Sequence, residues 1–315
     1  MKYAVTAATG RFGQLVVNHL LTRVSFRDIV IIARNLDKAH QLYPAYLDIR
    51  QGDYDDPASL QAALADVDRV LLISSHPNEA VPRITQHKNV VQAAVQNHVH
   101  WLGYTSFFHA DRCQNPLAAD HLATEQFIAQ TNLPHSFLRN NWYLNNEFPA
   151  LQAALQQKEP VVTTAGNQTI GWAAEHYYAE AAANFLSNPE DELKSSYELT
   201  GVFHTYEELV KAVRTVTGQD VQLQQLTPAE YQAWLQQQNL DGATQQFLIN
   251  CQVLMSSGAL GPQVAEQTVE MGMSHEAIAK RRAQYQDLPQ ALGRPLPSLT
   301  EQVRDMLAPK PGYLL

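Results

Sequence analysis

Short apolar runs alternate with stretches of helical periodicity from the start of the chain to about residue 140. The apolar runs predict strands over Lys2–Thr6, Asp28–Ala33, Asp48–Gly52, Arg69–Ser74, Trp101–Thr105 and His135–Arg139. The periodic stretches predict helices over Gly13–Thr22, Asn35–Gln41, Pro57–Leu64, Val81–Asn97 and Asp120–Thr131. Because strands that alternate with helices form right-handed βαβ units, we expect an α/β fold built on a doubly wound parallel sheet.

The pattern changes after about residue 150, where longer amphipathic helices replace the alternation. It predicts helices over Glu175–Leu186, Tyr206–Thr217 and Pro228–Gln238, and a short strand over Tyr197–Leu199. We therefore predict two domains, a first one over residues 1–150 and a smaller, mostly helical lobe over residues 151–315, some of whose segments can return to the first domain. The stretch Gly258–Gly272, rich in glycine and small residues, is expected to form a mobile loop.

The composition is that of a globular protein, with 45% hydrophobic and 17% charged residues and no apolar run of the roughly 20 residues that a bilayer helix requires. The net charge of −9 disfavours a broad surface for nucleic acid. Cys113 and Cys251 are too few for a disulfide framework, and their spacing is unlike that of a metal pair. Because Lys2–Thr6 reads as a strand and not as a secretory signal, we expect a cytoplasmic protein without membrane or nucleic-acid partners.

A glycine turn joins the first predicted strand to the first predicted helix. It directs backbone N–H groups and the positive end of the helix dipole at a phosphate, and thus predicts a Rossmann-type dinucleotide site. Its candidate cofactor-binding residues are Thr6, Ala8, Thr9, Gly10, Arg11, Phe12 and Gly13. Ala7 replaces the first glycine of a G-x-x-G-x-x-G spacing, and alanine tolerates a positive φ less well than glycine. The alternative is an inherited turn that no longer binds a nucleotide.

The charge at the end of the second strand indicates which dinucleotide is bound. An acidic residue there holds the ribose hydroxyl of NAD, whereas an arginine accommodates the 2′-phosphate of NADP. This chain has Arg34 at that place, with Lys38 one helical turn farther and Arg11 in the glycine turn. Each alone is typical of a solvated surface, but together they predict NADPH as the cofactor.

Polar residues also follow the third and fourth predicted strands. Ligands of open parallel sheets lie beyond the carboxyl ends of the strands, so these residues are candidate cofactor contacts. They are Asp53 and Tyr54 after the third strand, and Ser74, Ser75 and His76 after the fourth. A simple capping turn is an equal alternative for Asp53, and His76 can be a loop residue without a function.

Four segments resemble a known family: Leu102–Ser106, His109–Asp111, Asp120–Glu125 and Leu138–Tyr143. They resemble the atypical short-chain dehydrogenase/reductases of the NmrA-like family, and within it the NADPH-dependent quinone reductases and the triphenylmethane reductases. The resemblance covers about the first 210 residues and recurs near Leu292–Pro295, but the chain departs from the family pattern between Leu254 and Asp287. It implies an oxidoreductase that reduces a quinone or a similar conjugated small molecule. The alternative is a regulator that binds the dinucleotide and senses its redox state without catalysis.

The resemblance also implies how this chemistry differs from that of ordinary short-chain reductases. Those enzymes use Tyr-x-x-x-Lys, in which the lysine lowers the tyrosine pKa for proton donation. The matching positions here hold Leu117 and His121, and leucine cannot act as an acid. The quinone reductases of the family share this lack, because a quinone that accepts hydride forms a stabilised anion to which solvent can supply the proton.

Residues near the predicted reaction centre follow from the resemblance and from the strand ends. The candidate catalytic residues are His121, Asn140, Asn141 and Tyr104. Tyr104, Thr105, Ser106 and His121 are also candidate cofactor contacts. The candidate substrate contacts are Phe107, Trp142 and Tyr143. A capping or surface position is the equal alternative for His121, and a core position is the alternative for the aromatic residues. We expect neither a metal nor a flavin, and a homodimer stays open.

Overall fold

Seven parallel strands form the central sheet, in the order β3-β2-β1-β4-β5-β6-β9. They are β1 (Tyr3–Val5), β2 (Ile29–Ala33), β3 (Asp48–Gln51), β4 (Arg69–Leu72), β5 (Trp101–Phe107), β6 (His135–Asn140) and β9 (Ser196–Leu199). The computed structural model describes residues 1–76, 80–188, 193–262 and 285–308. The strand order reverses between β1 and β4, as it does in the doubly wound dinucleotide-binding folds, which confirms the predicted α/β class.

Helices cover both faces of the sheet. Among the described residues they are α1 (Arg11–Leu20), α2 (Leu36–Leu42), α3 (Pro57–Ala63), α4 (Arg83–Gln96), α5 (Pro116–Ala129), α6 (Phe148–Gln157), α7 (Glu175–Ser187), α8 (Tyr206–Thr217), α9 (Pro228–Leu235), α10 (Gly242–Ser256), α11 (Asp287–Leu292) and α12 (Leu299–Leu307). On one face α1 packs against α7 and α7 against α11, and on the other α4 packs between α3 and α5. Each face buries its own hydrophobic cluster against the sheet.

Every predicted strand and helix is present, with ends that differ by a few residues. The largest difference is at α5, which is predicted from Asp120 but begins at Pro116. Asn115 caps this helix by accepting a hydrogen bond from the Leu117 N–H (2.9 Å), and Pro116 fits the first turn because no donor is lost there. As a result, His121 lies within the second turn of α5 and not at its start.

Segments beyond residue 150 return to the central sheet. Strand β9 pairs with β6, although the pattern places it in the second lobe, and α7 and α11 cover the face of the sheet that α1 begins. Arg69 at the start of β4 ties α7 to the sheet, since its Nε donates to the Leu186 carbonyl oxygen (2.9 Å). The division into domains at residue 150 stays a prediction.

A third hydrophobic cluster joins α6, α8, α10 and α12 beside the carboxyl edge of the sheet. Two small sheets border it, formed by β7 (Val161–Thr163) with β11 (Leu223–Gln225) and by β8 (Ile170–Gly171) with β10 (Phe203–His204). The sequence pattern does not predict these four strands, because two or three residues are too few to show an alternation.

Of the predicted mobile loop Gly258–Gly272, residues 258–262 are described and residues 263–272 lie outside the described residues. Leu260 is buried, and its carbonyl oxygen accepts hydrogen bonds from the Gly171 N–H (3.1 Å) and from Asn141 Nδ2 (3.0 Å). In the described ranges, no helix has the length and apolar character needed to cross a membrane.

Candidate cofactor and acceptor site

The glycine turn between β1 and α1 is tight, because the backbones of Gly10 and Gly13 both lie close to the backbone of Ala7. Ala7 has a φ of 47°, in the left-handed region that glycine adopts at lower cost. The Gly10 N–H donates to the Ala7 carbonyl oxygen (3.0 Å). A Cβ on Gly13 would lie 2.6 Å from that same oxygen and 2.7 Å from Ala8 Cα, so the close approach requires glycine.

The N-terminus of α1 lies directly after this turn, and no side chain among the described residues caps it. Gly10 is its N-cap residue, so the first amides, at Arg11, Phe12 and Gly13, have no acceptor within the helix. Gly10 and Arg11 are exposed. Free amides and the positive helix end together favour an anion at this place.

Two side chains that sequence reasoning missed fix the shape of the turn. Tyr43, which follows α2 and is buried, donates its hydroxyl hydrogen to the Ala8 carbonyl oxygen (2.5 Å). Gln14 Nε2 donates to the Thr9 carbonyl oxygen (3.2 Å). Both bonds fix the orientation of carbonyl groups in the turn that precedes α1.

Thr6 and Tyr54, both predicted cofactor contacts, have hydroxyls that are engaged inside the protein. The Thr6 hydroxyl donates to the Leu71 carbonyl oxygen (3.0 Å) and is hydrogen-bonded to Tyr54 Oη. Tyr54 Oη also lies 2.8 Å from the Ile73 carbonyl oxygen, and burial raises the pKa of its phenol. These contacts connect β1, β4 and the loop after β3. Both side chains therefore stabilise the protein interior next to the glycine turn.

Two of the three cationic residues that are predicted to bind the 2′-phosphate lie just after β2. Arg34 and Lys38 are both exposed, and the Lys38 N–H is the donor that Asn35 Oδ1 accepts at the start of α2 (2.9 Å). Arg11 lies elsewhere, in an ion pair with the buried carboxylate of Glu175 at the start of α7. The structure therefore groups Arg34 with Lys38 and pairs Arg11 with the start of α7.

The loops after β3 and β4 carry the next group of predicted contacts. Asp53 is half-buried and accepts a hydrogen bond from the Asp55 N–H (3.1 Å), which agrees with a capping turn. The Ser74 N–H donates to Thr105 Oγ1 (2.8 Å) at the end of β5. Ser75 donates its hydroxyl hydrogen to Gln86 Oε1 (2.6 Å) on α4, and His76 is exposed.

A buried polar network connects α4, β5 and α5 beneath this loop. The Ser75 N–H donates to His87 Nε2 (3.0 Å), and His87 Nδ1 contacts Thr124 Oγ1 (2.8 Å). Tyr104 Oη lies 2.9 Å from Nδ1 of His121. Burial lowers the pKa of His87 to about 3 and that of His121 well below its ordinary value, while burial raises the pKa of Tyr104. Both histidines are therefore neutral, and the surface alternative for His121 is wrong because its side chain is buried.

Arg83 at the start of α4 is a cation that sequence reasoning missed. It lies one helical turn before His87, on the same face of α4, toward the carboxyl edge of the sheet. Its Nε is buried and has no hydrogen-bond partner within the described part of the chain. Burial lowers its pKa, and its charge in turn lowers the pKa of His87 and of His121. A buried donor without an acceptor fits a bound ligand at this edge.

Asn140 at the end of β6 is the second place with an unpaired polar atom. Its Nδ2 donates to Tyr143 Oη (2.9 Å), whereas its Oδ1 is buried without a partner among the described residues. The Tyr143 ring stacks on Phe12 of the glycine turn, with centroids 5.9 Å apart and planes at 6°. A predicted substrate residue and a predicted cofactor residue therefore lie together at one edge.

Asn141 and Ser106, in contrast, are engaged within the fold. Asn141 Nδ2 donates to Thr200 Oγ1 (2.9 Å) and to the Leu260 carbonyl oxygen (3.0 Å). The Ser106 hydroxyl donates to Glu125 Oε1 (2.6 Å), which is also paired with Arg139. These contacts connect elements and leave little of either side chain for a ligand.

The remaining predicted substrate contacts border the third hydrophobic cluster. The Phe107 ring lies 5.9 Å from the His121 ring and is partly buried. Trp142 Nε1 donates to Oε1 of Glu147 (3.0 Å), a buried carboxyl that sequence reasoning missed. No group of three histidine, cysteine or acidic side chains that could hold a metal ion occurs in the part of the chain that the structure describes.

Comparisons with known proteins show what this chain is similar to. Residues 7–170 match a family model described as NAD(P)H-binding. Quinone oxidoreductase 2 of Escherichia coli is 36% identical over 82% of this chain and 89% of its own length. An NmrA-like family domain-containing oxidoreductase of Aspergillus flavus is 26% identical over 73% of this chain and 76% of its own.

Two solved structures extend these matches to the fold. The crystal structure of an NADPH-dependent quinone oxidoreductase from Escherichia coli, complexed with NADPH, has a TM-score of 0.83 and 32% identity and covers 96% of this chain and 99% of its own. The Citrobacter sp. triphenylmethane reductase complexed with NADP(H) has a TM-score of 0.82 and 30% identity and covers 97% of this chain and all of its own.

Proposed function

The chain belongs to the NAD(P)H-binding family of NmrA-like reductases and is an oxidoreductase, and we propose that it transfers a hydride from NADPH to a quinone or a similar conjugated acceptor. The observation that carries the proposal is the uncapped N-terminus of α1 behind the tight turn at Gly13. Solved relatives with this fold are complexed with NADPH or NADP(H), and the curated relative with 36% identity is named a quinone oxidoreductase.

Residues along the carboxyl edge of the sheet would hold the cofactor, whose nicotinamide supplies the hydride. The amides of Arg11, Phe12 and Gly13 would bind the pyrophosphate, because they lie at the positive end of α1 and no side chain in the described ranges caps them. Arg34 and Lys38 bind the 2′-phosphate with their exposed cationic groups. The unpaired atoms Arg83 Nε and Asn140 Oδ1 mark the edge where the other end of the dinucleotide and the acceptor meet.

The proton chemistry follows from the residues at positions 117 and 121. Leu117 cannot donate a proton, and His121 is held neutral by burial, so neither acts as the tyrosine or lysine of a Tyr-x-x-x-Lys pair. A quinone needs no such donor during hydride transfer, since the hydroquinone anion is stabilised by its ring and takes a proton from solvent. The protein then gains rate mainly by holding the two rings against each other.

The comparisons do not favour the alternative of a non-catalytic redox sensor. The curated relatives are named oxidoreductases. The decisive experiment follows NADPH absorbance with a panel of quinones, next to NADPH binding measured by fluorescence quenching. We expect binding and turnover together. Binding without turnover on any acceptor would reinstate the sensor, and absence of binding would remove both.

The choice of NADPH over NADH is the first testable prediction. Replacing Arg34 with glutamate places a negative charge where the 2′-phosphate lies, so Arg34→Glu should weaken NADPH at least tenfold more than NADH. The measurement is the Kd of each dinucleotide by fluorescence quenching. Arg27→Glu is the matched control, because Arg27 is exposed at the opposite end of β2. Equal losses for both dinucleotides would remove Arg34 from the phosphate site.

A further inference from the structure

A cavity of about 700 Å³ lies beside α6, α8, α9 and α10. Its volume is within the range of small-molecule pockets. Arg11, the first residue of α1, borders it, and so does Trp142, which follows the end of β6. The cavity therefore extends away from the proposed cofactor turn into the second lobe.

Several aromatic side chains contribute to the cavity wall. Trp142, Tyr206, Tyr231, Trp234 and Phe247 all line it. The rings of Tyr231 and Trp234 lie 5.5 Å apart and tilted by 34°, and Phe247 is 54% exposed. Large apolar side chains that are open to a cavity are typical of a binding site for another ring.

A single buried carboxyl group lies in this aromatic wall. Glu147 Oε1 accepts hydrogen bonds from the indole N–H groups of Trp142 (3.0 Å) and Trp172 (3.3 Å). Its Oε2 accepts the hydroxyl hydrogen of Tyr206 (3.0 Å). Tyr206 Oη is also 3.0 Å from the sulfur of Met255, which offers that hydroxyl a second acceptor when Glu147 is protonated. The three donors fix the carboxyl group in place in either charge state.

Burial raises the pKa of Glu147 to about 7, although the three hydrogen bonds oppose the rise. The titratable groups that face it from the packed helices are Tyr206 on α8, Tyr231 on α9 and Cys251 on α10. Burial raises the pKa of each of these, so they stay neutral near pH 7. Arg11 and Glu159 also line the wall; both are exposed, and the charge of Arg11 is compensated by its ion pair with Glu175.

We propose that this cavity binds the ring system of the acceptor and that Glu147 selects it by charge, admitting uncharged and cationic aromatic molecules and rejecting anionic ones. The ionised carboxylate attracts a cation and repels an anion that enters the cavity. The identification of the occupant as the acceptor rests on the proposed function, whereas the charge preference is a property of binding alone.

The test uses three naphthoquinones that differ in charge: the parent compound, its sulfonate and a trimethylammonium-substituted analogue. Their affinities are measured by titration calorimetry without NADPH at about pH 6 and about pH 8.5. We expect the wild type to bind the cationic compound at least tenfold more tightly than the sulfonate at the higher pH, and the ratio to fall at the lower pH as Glu147 is protonated. The parent compound should bind equally at both.

The variant arm compares Glu147→Gln with Glu207→Gln, which removes an exposed carboxylate next to Tyr206 in the chain but not on the cavity wall. Glu147→Gln should bring the cation-to-sulfonate ratio close to one at both pH values, and Glu207→Gln should keep the wild-type ratio. The proposal is overturned if Glu147→Gln keeps the ratio, or if the wild-type ratio does not change with pH. The wild-type arm still decides the matter if Glu147→Gln fails to fold.

Turnover measurements separate this inference from the proposed function. If the three compounds bind with the expected charge order but none oxidises NADPH, the cavity inference holds and the proposed function fails. If NADPH is oxidised by all three with the same kcat/KM at both pH values, the proposed function holds and the role of Glu147 is wrong.

Discussion

At the scale of single residues, two neighbouring asparagines with the same predicted role have different surroundings. The buried Oδ1 of Asn140 has no partner among the described residues. Asn141 Nδ2, in contrast, donates hydrogen bonds to Thr200 Oγ1 and to the Leu260 carbonyl oxygen. A side chain whose donors are used within the fold serves stability, and one with a free buried atom is available to a ligand. The sequence Arg-Asn-Asn-Trp-Tyr does not distinguish them.

This difference predicts opposite outcomes for two alanine variants. Asn141→Ala leaves buried acceptors unpaired and should lower the free energy of unfolding by about 2 kcal/mol. Asn140→Ala should change the unfolding free energy much less but lower kcat/KM for quinone reduction about tenfold, because its buried Oδ1 would accept a hydrogen bond from the bound cofactor. Urea unfolding and steady-state kinetics measure the two effects. If Asn141→Ala were fully stable and inactive, Asn141 would be the catalytic amide.

A second prediction at this scale concerns the strained alanine. Ala7 holds a φ of 47°, so Ala7→Gly relieves strain that exceeds the added entropy of the unfolded chain and should raise the unfolding free energy by about 0.5 to 1 kcal/mol. Ala8→Gly is the control, because Ala8 is buried and has no positive φ, and it should destabilise the protein. A destabilising Ala7→Gly would show that the left-handed conformation costs little here.

At the scale of elements, neutral histidines connect α4, α5 and β5. His87 on α4 contacts Ser75 after β4, Thr124 on α5 and Tyr104 on β5. These partners lie 12 or more residues from His87 in the sequence. A histidine on a helix face does not by itself indicate a buried contact. The network therefore depends on the sheet order, which brings β4 and β5 together. Sequence reasoning found Tyr104 and His121 from the family resemblance and the strand ends, but it had no comparable signal for His87 or Arg83.

This network predicts acid sensitivity. The pKa of His87 is lowered from 6.5 to about 3 in the folded protein. Its contribution to stability is therefore present above pH 6.5 and is lost as pH falls toward 3, by about 2 kcal/mol between about pH 7 and about pH 5. His87→Gln should lose that share of the pH dependence of the urea midpoint, while His40→Gln, on the exposed side of α2, should keep it. Identical pH profiles for the two variants would contradict the neutral buried histidine.

At the scale of the whole molecule, Glu147 has the opposite pH dependence. Its folded pKa of about 7 lies above the ordinary value of 4.5, so its stabilising contribution is present below pH 4.5 and is lost as pH rises through about 7. The unfolding free energy of Glu147→Gln relative to wild type should therefore rise by about 2.5 kcal/mol from about pH 5 to about pH 8. A constant difference across that range would place the Glu147 pKa near its ordinary value.

The sequence pattern predicts the central sheet well because each strand is a short apolar run between helices. The turn at Gly10 and Gly13 and the cation at Arg34 are also local features, so their positions follow from spacing alone. The environment of Glu147 is not local: it requires Trp172 and Tyr206, which lie far along the chain. The same reason applies to β9, whose apolar residues predict a strand but not its partner.

The late arrival of β9 has a consequence for biosynthesis. The hydrogen-bonding edge of β6 is covered by residues 196–199, which a ribosome adds only after the whole of β1 to β6 has been made. Arg139 on β6 likewise lacks Glu198 until then. A nascent chain halted before residue 196 would expose a bare parallel edge, the kind of surface that chaperones cover and on which misassembly begins.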